Sequence, residues 1–343
     1  MIKILDTNFV EVSVVEKYQS FIWTDRFDQY GDFELYAPMG VDWFYDIQIG
    51  YYLINDDSDR TMMIETVEIT SDTETGDFIK VSGRSLEAIL TRRIVWDQTT
   101  VSGNIQTCVK KLITDAIIAP VIADRRIENF VFLDSDDPVI SGSTMVESQY
   151  TGDNLYDIVA DICAAAQCGF KIVLVDKTFV FTMYRGTDRS GYITFSNEYN
   201  NLITSDYTND YQNYSNVTLV AGEGEGSARK TVTVGSESGL NRRELYTDAR
   251  DLRQEGQSAT TYNNQLKQRG LEKLAEVAIT EGFQGTVEPD VMYKYNEDFT
   301  IGDFVTFKDK YGNYGTPRID EFTISDDENN GYYCYPTFVM LEE

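Results

Sequence analysis

The sequence predicts a mainly β protein with an α+β insert. Three observations lead there. Tyr (23) and Phe (18) are abundant among the 343 residues, and both residue types favour strands. Alternating apolar and polar stretches crowd both ends of the chain. Helical periodicity is confined to a middle region and one later segment. The length allows two or three domains, each with its own core.

Residues 1 to about 95 read as strands. "FVEVSVV" (9–15) alternates, and "SFIWTDRFDQYGDFELYAP" (20–38) reads as two strands around a Tyr-Gly-Asp turn, stopped by Pro38. "YYLINDDSDRTMMIETVEIT" (51–70) reads as a hairpin with an acidic tip. "FIKVSGRSLEAILTRRIVW" (78–96) starts as a strand. After Gly83 it turns helical, with Ser85 as cap and Leu86, Ile89 and Leu90 on one face.

The α+β insert follows, from about 96 to 199. Residues 102–118 place Ile105, Val109, Leu112, Ile113 and Ile117 on one helical stripe before Pro120. Residues 153–168 repeat the pattern with Leu155, Ile158, Val159, Ile162 and Cys163, and Gly169 as the stop. "FKIVLVDKTFVFTMY" (170–184) reads as a hairpin turning at Asp176-Lys177. Strands resume over 215–235. A helix over about 259–281 lines up Tyr262, Leu266, Leu274, Val277 and Ala278 and stops at Gly282. The last 60 residues return to strands.

Composition excludes several functions. There is no His, which removes Ser-His-Asp and Cys-His nucleophiles, HExxH peptidases and His-ligated metals. Paired carboxylates, Lys or Tyr remain open as catalysts, but among 57 acids the spacing singles out no glycosidase-like pair. Cys108, Cys163, Cys168 and Cys334 form no CxxC, so neither a disulfide framework nor a zinc site is expected. Cys163 and Cys168 read as core thiols. At a net charge of −28, the surface is unsuited to gripping phosphate backbones or anionic membranes. No apolar run approaches the roughly 18 residues of a membrane helix. "MIKILDTNFVEVSVV" lacks a small-residue cleavage site, so a soluble chain made in a cytosol is expected.

Candidate sites have bland alternatives. "GEGEGSAR" (222–229) contains GxGxG, but "KTVTV" rather than a helix follows, and Glu223 and Glu225 would repel phosphate; a hairpin loop is expected. "DDENNG" (326–331) partly imitates a calcium loop, yet Thr337 stands where the closing Glu belongs, and Asn330-Gly331 is a hairpin signal. "NDDSD" (55–59) and "DSDD" (134–137) read as solvated loops. Arg84, Arg92 and Arg93 either pair with nearby acids or form a subunit contact. No catalytic, cofactor-binding or metal residue is assigned, and no cofactor is expected.

Five stretches in order carry a resemblance: "WTDRFDQYGDFELYAP", "VSGRSLEAILTRRIVW", "VAGEGEGSARKTVTV", "NRRELYTDARDL" and "FTIGDFVTFKDKYGNYGTPRIDEFTIS". Together they resemble the tail hub (baseplate hub, tail-tip) proteins of long-tailed phages and prophages of Gram-positive bacteria, across nearly the whole chain. The resemblance implies a structural scaffold rather than an enzyme. It implies two tube-like β-barrel domains plus an α/β-decorated domain: 1–95 as the first barrel, completed by 200–235; 96–199 as the α+β insert; and 236–343 as the second barrel with one long helix. Three chains would then present six barrels in a ring that closes or extends the tail tube. The implied partners are two further copies, the distal tail ring protein, the tape measure protein, and receptor-binding or tail fibre proteins. DNA would pass through the lumen without specific binding, helped by three times −28, or −84, of formal charge. No membrane insertion is expected. The implied location is the virion tail tip, after assembly in the bacterial host cytoplasm. "FTIGDFVTF" and "PRIDEFTIS" would be adjacent strands of the last barrel, with Gly302-Asp303 as entry turn and Val305, Phe307, Ile319 and Phe322 in one core. The alternatives are a carbohydrate-binding module, from the 13% aromatic content, or a cell-wall hydrolase of the tail tip.

Overall fold

The structure is a computed structural model and describes residues 1–74, 76–288, 292–328 and 331–341. Its frame is an eleven-stranded sheet. The first part of the chain supplies β1 (Ile2–Leu5), β2 (Glu11–Val15), β3 (Ser20–Arg26), β4 (Asp32–Pro38), β5 (Tyr52–Asn55), β6 (Thr61–Asp72) and β7 (Gly76–Ser85). Strand β4 shows why: Phe33, Leu35 and Ala37 are buried and alternate with more open residues, the period-two pattern of a half-buried strand. Gly31 precedes it because a Cβ there would sit 2.1 Å from the Thr24 carbonyl oxygen.

The insert contains β8 (Thr99–Asn104), β9 (Phe130–Leu133), β10 (Thr144–Tyr150), β11 (Gly169–Val175) and β12 (Thr178–Tyr184), with helices α1 (Ile105–Ile113), α2 (Pro138–Gly142) and α3 (Leu155–Ala165). Asp176 and Lys177 both have positive φ, 46° and 65°, as a two-residue type I′ hairpin turn requires. The insert has its own core, centred on Leu86, Val109, Leu155, Val159, Phe170 and Phe181. Cys163 and Cys168 lie in it, and all four cysteines are buried.

The chain then adds β13 (Thr194–Ser196) and β14 (Leu202–Asp210). A small unit follows with β15 (Val217–Ala221), β16 (Thr231–Val234), β17 (Glu244–Asp248) and α4 (Ala259–Ala275). Strands β18 (Thr280–Val287), β19 (Thr306–Lys308), β20 (Tyr314–Gly315), β21 (Arg318–Asp327) and β22 (Gly331–Val339) complete it. The large sheet runs β14-β18-β22-β21-β3-β4-β7-β6-β5-β1-β2. Strand β21 pairs with β3, so late and early strands share one sheet, and their side chains share one core from Ile4 and Trp23 to Phe307 and Phe338. The small unit has a separate core of Val220, Ala249, Leu252, Tyr262 and Leu266. It hangs from a two-stranded ribbon, because β14 and β18 pair out to Asp210 and Thr280 on either side of it.

Several local expectations change. The helix expected over 259–281 is α4, ending at its cap Glu276; Gly282 is instead a strand residue paired with Val339. A Cβ on Gly282 would lie 2.3 Å from the Phe338 carbonyl oxygen, so this glycine serves a close strand approach. Residues 102–118 divide between the end of β8, α1 and a π-helical turn over Thr114–Ile118, with Asn104 as the N-cap. Ser85 caps nothing with its side chain; its hydroxyl accepts the Gly31 N–H at 2.7 Å. The two closing stretches are neighbours through Gly302 N–H to Ile319 O (2.8 Å) and Ile319 N–H to Asp303 O (3.0 Å). Strand β19 then leaves β21 and pairs with β13 and β20. Val305, Phe307, Ile319 and Phe322 are buried in one core.

Candidate assembly surface and its supporting joints

The described residues contain no group of three or more His, Cys, Asp or Glu arranged to hold a metal ion, and no helix long and apolar enough to cross a membrane. Two buried polar joints and one exposed groove stand out instead.

The inner joint connects the insert to the large sheet. Arg60, at the start of β6's hairpin, is 4% exposed. Its Nη1 donates to Glu87 Oε1 at 2.9 Å, and its Nη2 to the Tyr184 hydroxyl at 2.9 Å and the Arg26 carbonyl at 3.3 Å. Glu87 Oε1 also accepts the Ile172 N–H at 3.0 Å. Burial pulls the Arg60 pKa down, but Tyr184, Glu87, Asp59 and Asp25 outweigh it and hold the guanidinium charged. Beside it lies Asp25, fully buried, accepting Trp23 Nε1 (2.9 Å), Ser58 Oγ (2.7 Å) and the Tyr295 hydroxyl (2.9 Å). Burial pushes its carboxyl up to about 6. Asp59 pairs with Lys171 of β11 and with Arg60. The acidic tip 55–59, expected as a solvated loop, is therefore a three-way junction between early strands, insert and late strands. Its partners lie up to 239 residues away, beyond any local pattern. The detectable signal was Glu87, an acid inside the apolar run Leu-Glu-Ala-Ile-Leu.

The outer joint connects the insert to the small unit. Helix α4 has two faces. Tyr262, Leu266 and Gly270 are spaced by four and meet the small unit's own sheet; a Cβ on Gly270 would lie 2.7 Å from Val234 Cγ2. Gln265, Gln268 and Glu272 are also buried, at helical spacing on another face. Gln257 Nε2 donates to Gln149 Oε1 at 2.5 Å, bridging the small unit to β10. Burial pushes Glu272 up to about 7 and, on α3, Asp161 up to about 6. Burial and then Glu272 raise Tyr150. The Tyr150 hydroxyl, Gln257 Oε1 and both amide atoms of Gln265 have no hydrogen-bond partner.

The other candidate residues fall into place around these joints. "GEGEGSAR" is the β15–β16 hairpin loop, and Arg229 closes it through Gly222 O, Ala221 O and Asp248. Asp326 and Asp327 end β21 and Gly331 opens β22, as a hairpin requires; Asn329 and Asn330 lie outside the described residues. Asp137 caps α2, and Asp134 pairs with Lys110. Arg84 forms a two-pronged pair with Glu65 at 2.6 and 2.9 Å, and Glu65 holds it above its usual pKa. Arg92 lies 3.7 Å from the same carboxylate. Arg93 donates to the Arg125 and Arg92 carbonyls.

The arrangement is a β frame with decorating units held at hydrogen-bonded joints. The fold matches the tail protein from Neisseria meningitidis MC58 (TM-score 0.62, 13% identity, 99% of this chain and 96% of that one). It matches the 43 kDa tail protein of prophage MuSo2 from Shewanella oneidensis (0.62, 12%, 98% and 98%) and the prophage tail protein gp18 from Listeria monocytogenes EGD-e (0.53, 12%, 98% and 94%). No curated protein sequence matches the chain. The chain belongs to the Siphovirus ReqiPepy6 Gp37-like protein family, whose model matches residues 1–338. The resemblance to tail hub proteins read from the sequence is borne out, as is the mainly β class.

Proposed function

We propose that three copies of this chain form a ring at the distal end of a phage tail, the hub that closes or extends the tail tube. The observation that supports this most directly is the continuous eleven-stranded sheet. It is built from both ends of the chain and carries its decorating units as insertions. Each chain contributes two tube-like β halves, one from the early strands and one from the late strands, so three chains offer six. The insert and the small unit stand outside this frame, where other tip proteins dock. The partners are the distal tail ring protein, the tape measure protein, and receptor-binding or fibre proteins. DNA passes through the acidic lumen without being gripped. The role is structural and non-enzymatic, and its place is the virion tail tip after assembly in the host cytoplasm.

Negative-stain imaging of the purified protein, alone and with the distal tail ring protein, tests this. Threefold rings with a central hole are expected. Isolated particles in both samples overturn the reading.

A further inference from the structure

The insert carries an exposed basic and aromatic groove that is out of keeping with a chain of net charge −28. The groove holds about 400 Å³ and is lined by Arg92, Arg93, Trp96, Ile122, Arg125 and one carboxylate, Asp124, among others. Trp96 is 56% exposed. The Arg125 guanidinium lies over its ring at 5.3 Å and donates to the Ile94 carbonyl at 2.6 Å. Arg93 donates through Nε to the Arg125 carbonyl and through Nη1 to the Arg92 carbonyl. Its pKa is lowered by burial and then by Arg125 and Arg92, so positive charges crowd one another here, in a chain that carries 57 Asp and Glu. Exposed Trp beside Arg is the composition of an interface hot spot.

The same chain carries the complement. Residues 68–74, 76 and 77, the far end of the β6–β7 hairpin, are exposed. The stretch 68–77 contains Glu68, Asp72, Glu74 and Asp77, no Lys or Arg, and an Ile69 that is 58% exposed. It therefore offers acids for the arginines and an apolar side chain for the tryptophan. Strand β7 runs from that tip to Ser85 and continues directly into the 3₁₀ turn Leu86–Arg92 that delivers Arg92 to the groove. Ten residues of strand at roughly 3.3 Å each span about 30 Å. Tip and groove thus sit at opposite ends of one stiff run and cannot meet within a chain. A contact joining the two ends of a subunit is heterologous, the kind that repeats around a ring.

We propose that the acidic hairpin 68–77 of one copy seats in the Arg92–Arg93–Arg125 groove of the next copy. This rests on the ring reading and names the contact that builds the ring. The groove arginines read the hairpin carboxylates, and Trp96 with Ile122 covers Ile69.

The test is the mass of the intact protein in solution, by light scattering after size exclusion, from 50 to 500 mM NaCl, alone and with the distal tail ring protein. Three variants accompany it: Arg93→Glu/Arg125→Glu, Glu74→Lys/Asp77→Lys, and all four changes together. Circular dichroism melts confirm that each variant folds. Wild type is expected to associate at low salt and to weaken as salt screens the contact. Each double reversal should weaken association at least tenfold, and the fourfold variant should recover most of it. Wild-type assembly by both double variants overturns the proposed contact and leaves the ring reading standing. Single particles for wild type under every condition, with and without the ring protein, overturn the ring reading and the contact together.

Discussion

At the inner joint, Arg60 reaches three acceptors and Asp25 receives three donors, while one atom, Glu87 Oε2, stays without a partner. At the outer joint, four side-chain atoms of Tyr150, Gln257 and Gln265 are buried without partners. Both joints hold the same insert, and both are polar. A nearly complete network defines one geometry, whereas a partly satisfied one carries desolvation cost without the compensating bonds. By that criterion the inner joint, through Arg60, fixes the insert on the β frame more firmly than the outer joint fixes the small unit on the insert. The small unit is held by weaker contacts at the end of an exposed ribbon, with residues 205–210 of β14 mostly open to solvent.

The largest expected effect comes from breaking the rigid joint. Arg60→Met leaves Glu87 buried without its cation and frees the Tyr184 hydroxyl and the Arg26 carbonyl. Removing one partner of a buried pair costs about 3–5 kcal/mol. Denaturant unfolding should show a loss of that order. Adding Glu87→Met removes the stranded carboxylate and should recover part of the loss, the remainder reflecting the Ile172 N–H left without its acceptor. If the double variant is no better than the single, Arg60 acts through packing and not through its ion pair.

Acidity separates the two joints. The folded chain holds Asp25 at about 6 and Glu272 at about 7, above their ordinary values, so it keeps protons that the unfolded chain has released. That contribution is complete below about pH 4 and is lost as pH rises through 6 and then 7, each pKa unit being about 1.4 kcal/mol. The protein should therefore melt higher at pH 5.5 than at pH 8. Asp28 and Asp161, each raised to about 6 chiefly by burial, add to the lower part of this window. Glu272→Gln should flatten the melting profile between pH 6 and 8, while Asp25→Asn should flatten it mainly near 6. A Glu272→Gln profile parallel to wild type above pH 6 would remove the outer joint from the account.

How much of this was legible follows from the range of each interaction. The alternation in β4, the Asp176-Lys177 turn and the buried stripes of α1 and α3 are set by residues a few positions apart, and all were readable. Arg60 with Glu87 and Asp25 with Tyr295 are joined only by the fold, so no local pattern pairs them. The end of α4 was misplaced because Leu274, Val277 and Ala278 continue a helical spacing, while pairing of β18 with β14 and β22 claims residues from 280. The polar face of α4 has the spacing of a solvated helix face. Only the insert lying against it makes Gln265, Gln268 and Glu272 buried.

The smallest effect is the most direct measure of the outer joint. Gln265 is 1% exposed, and neither amide atom has a partner. Burying such a group without its bonds costs about 1–3 kcal/mol, and Met has nearly the same shape without that cost. Gln265→Met should therefore stabilise the protein by about that amount. The gain should appear as slower hydrogen exchange in α4 and β10, with β3, β4 and β7 unchanged, because the frame is already held by the inner joint. Faster exchange in α4 would mean that the amide makes bonds, through water or a neighbouring copy, and that the outer joint is as well satisfied as the inner one.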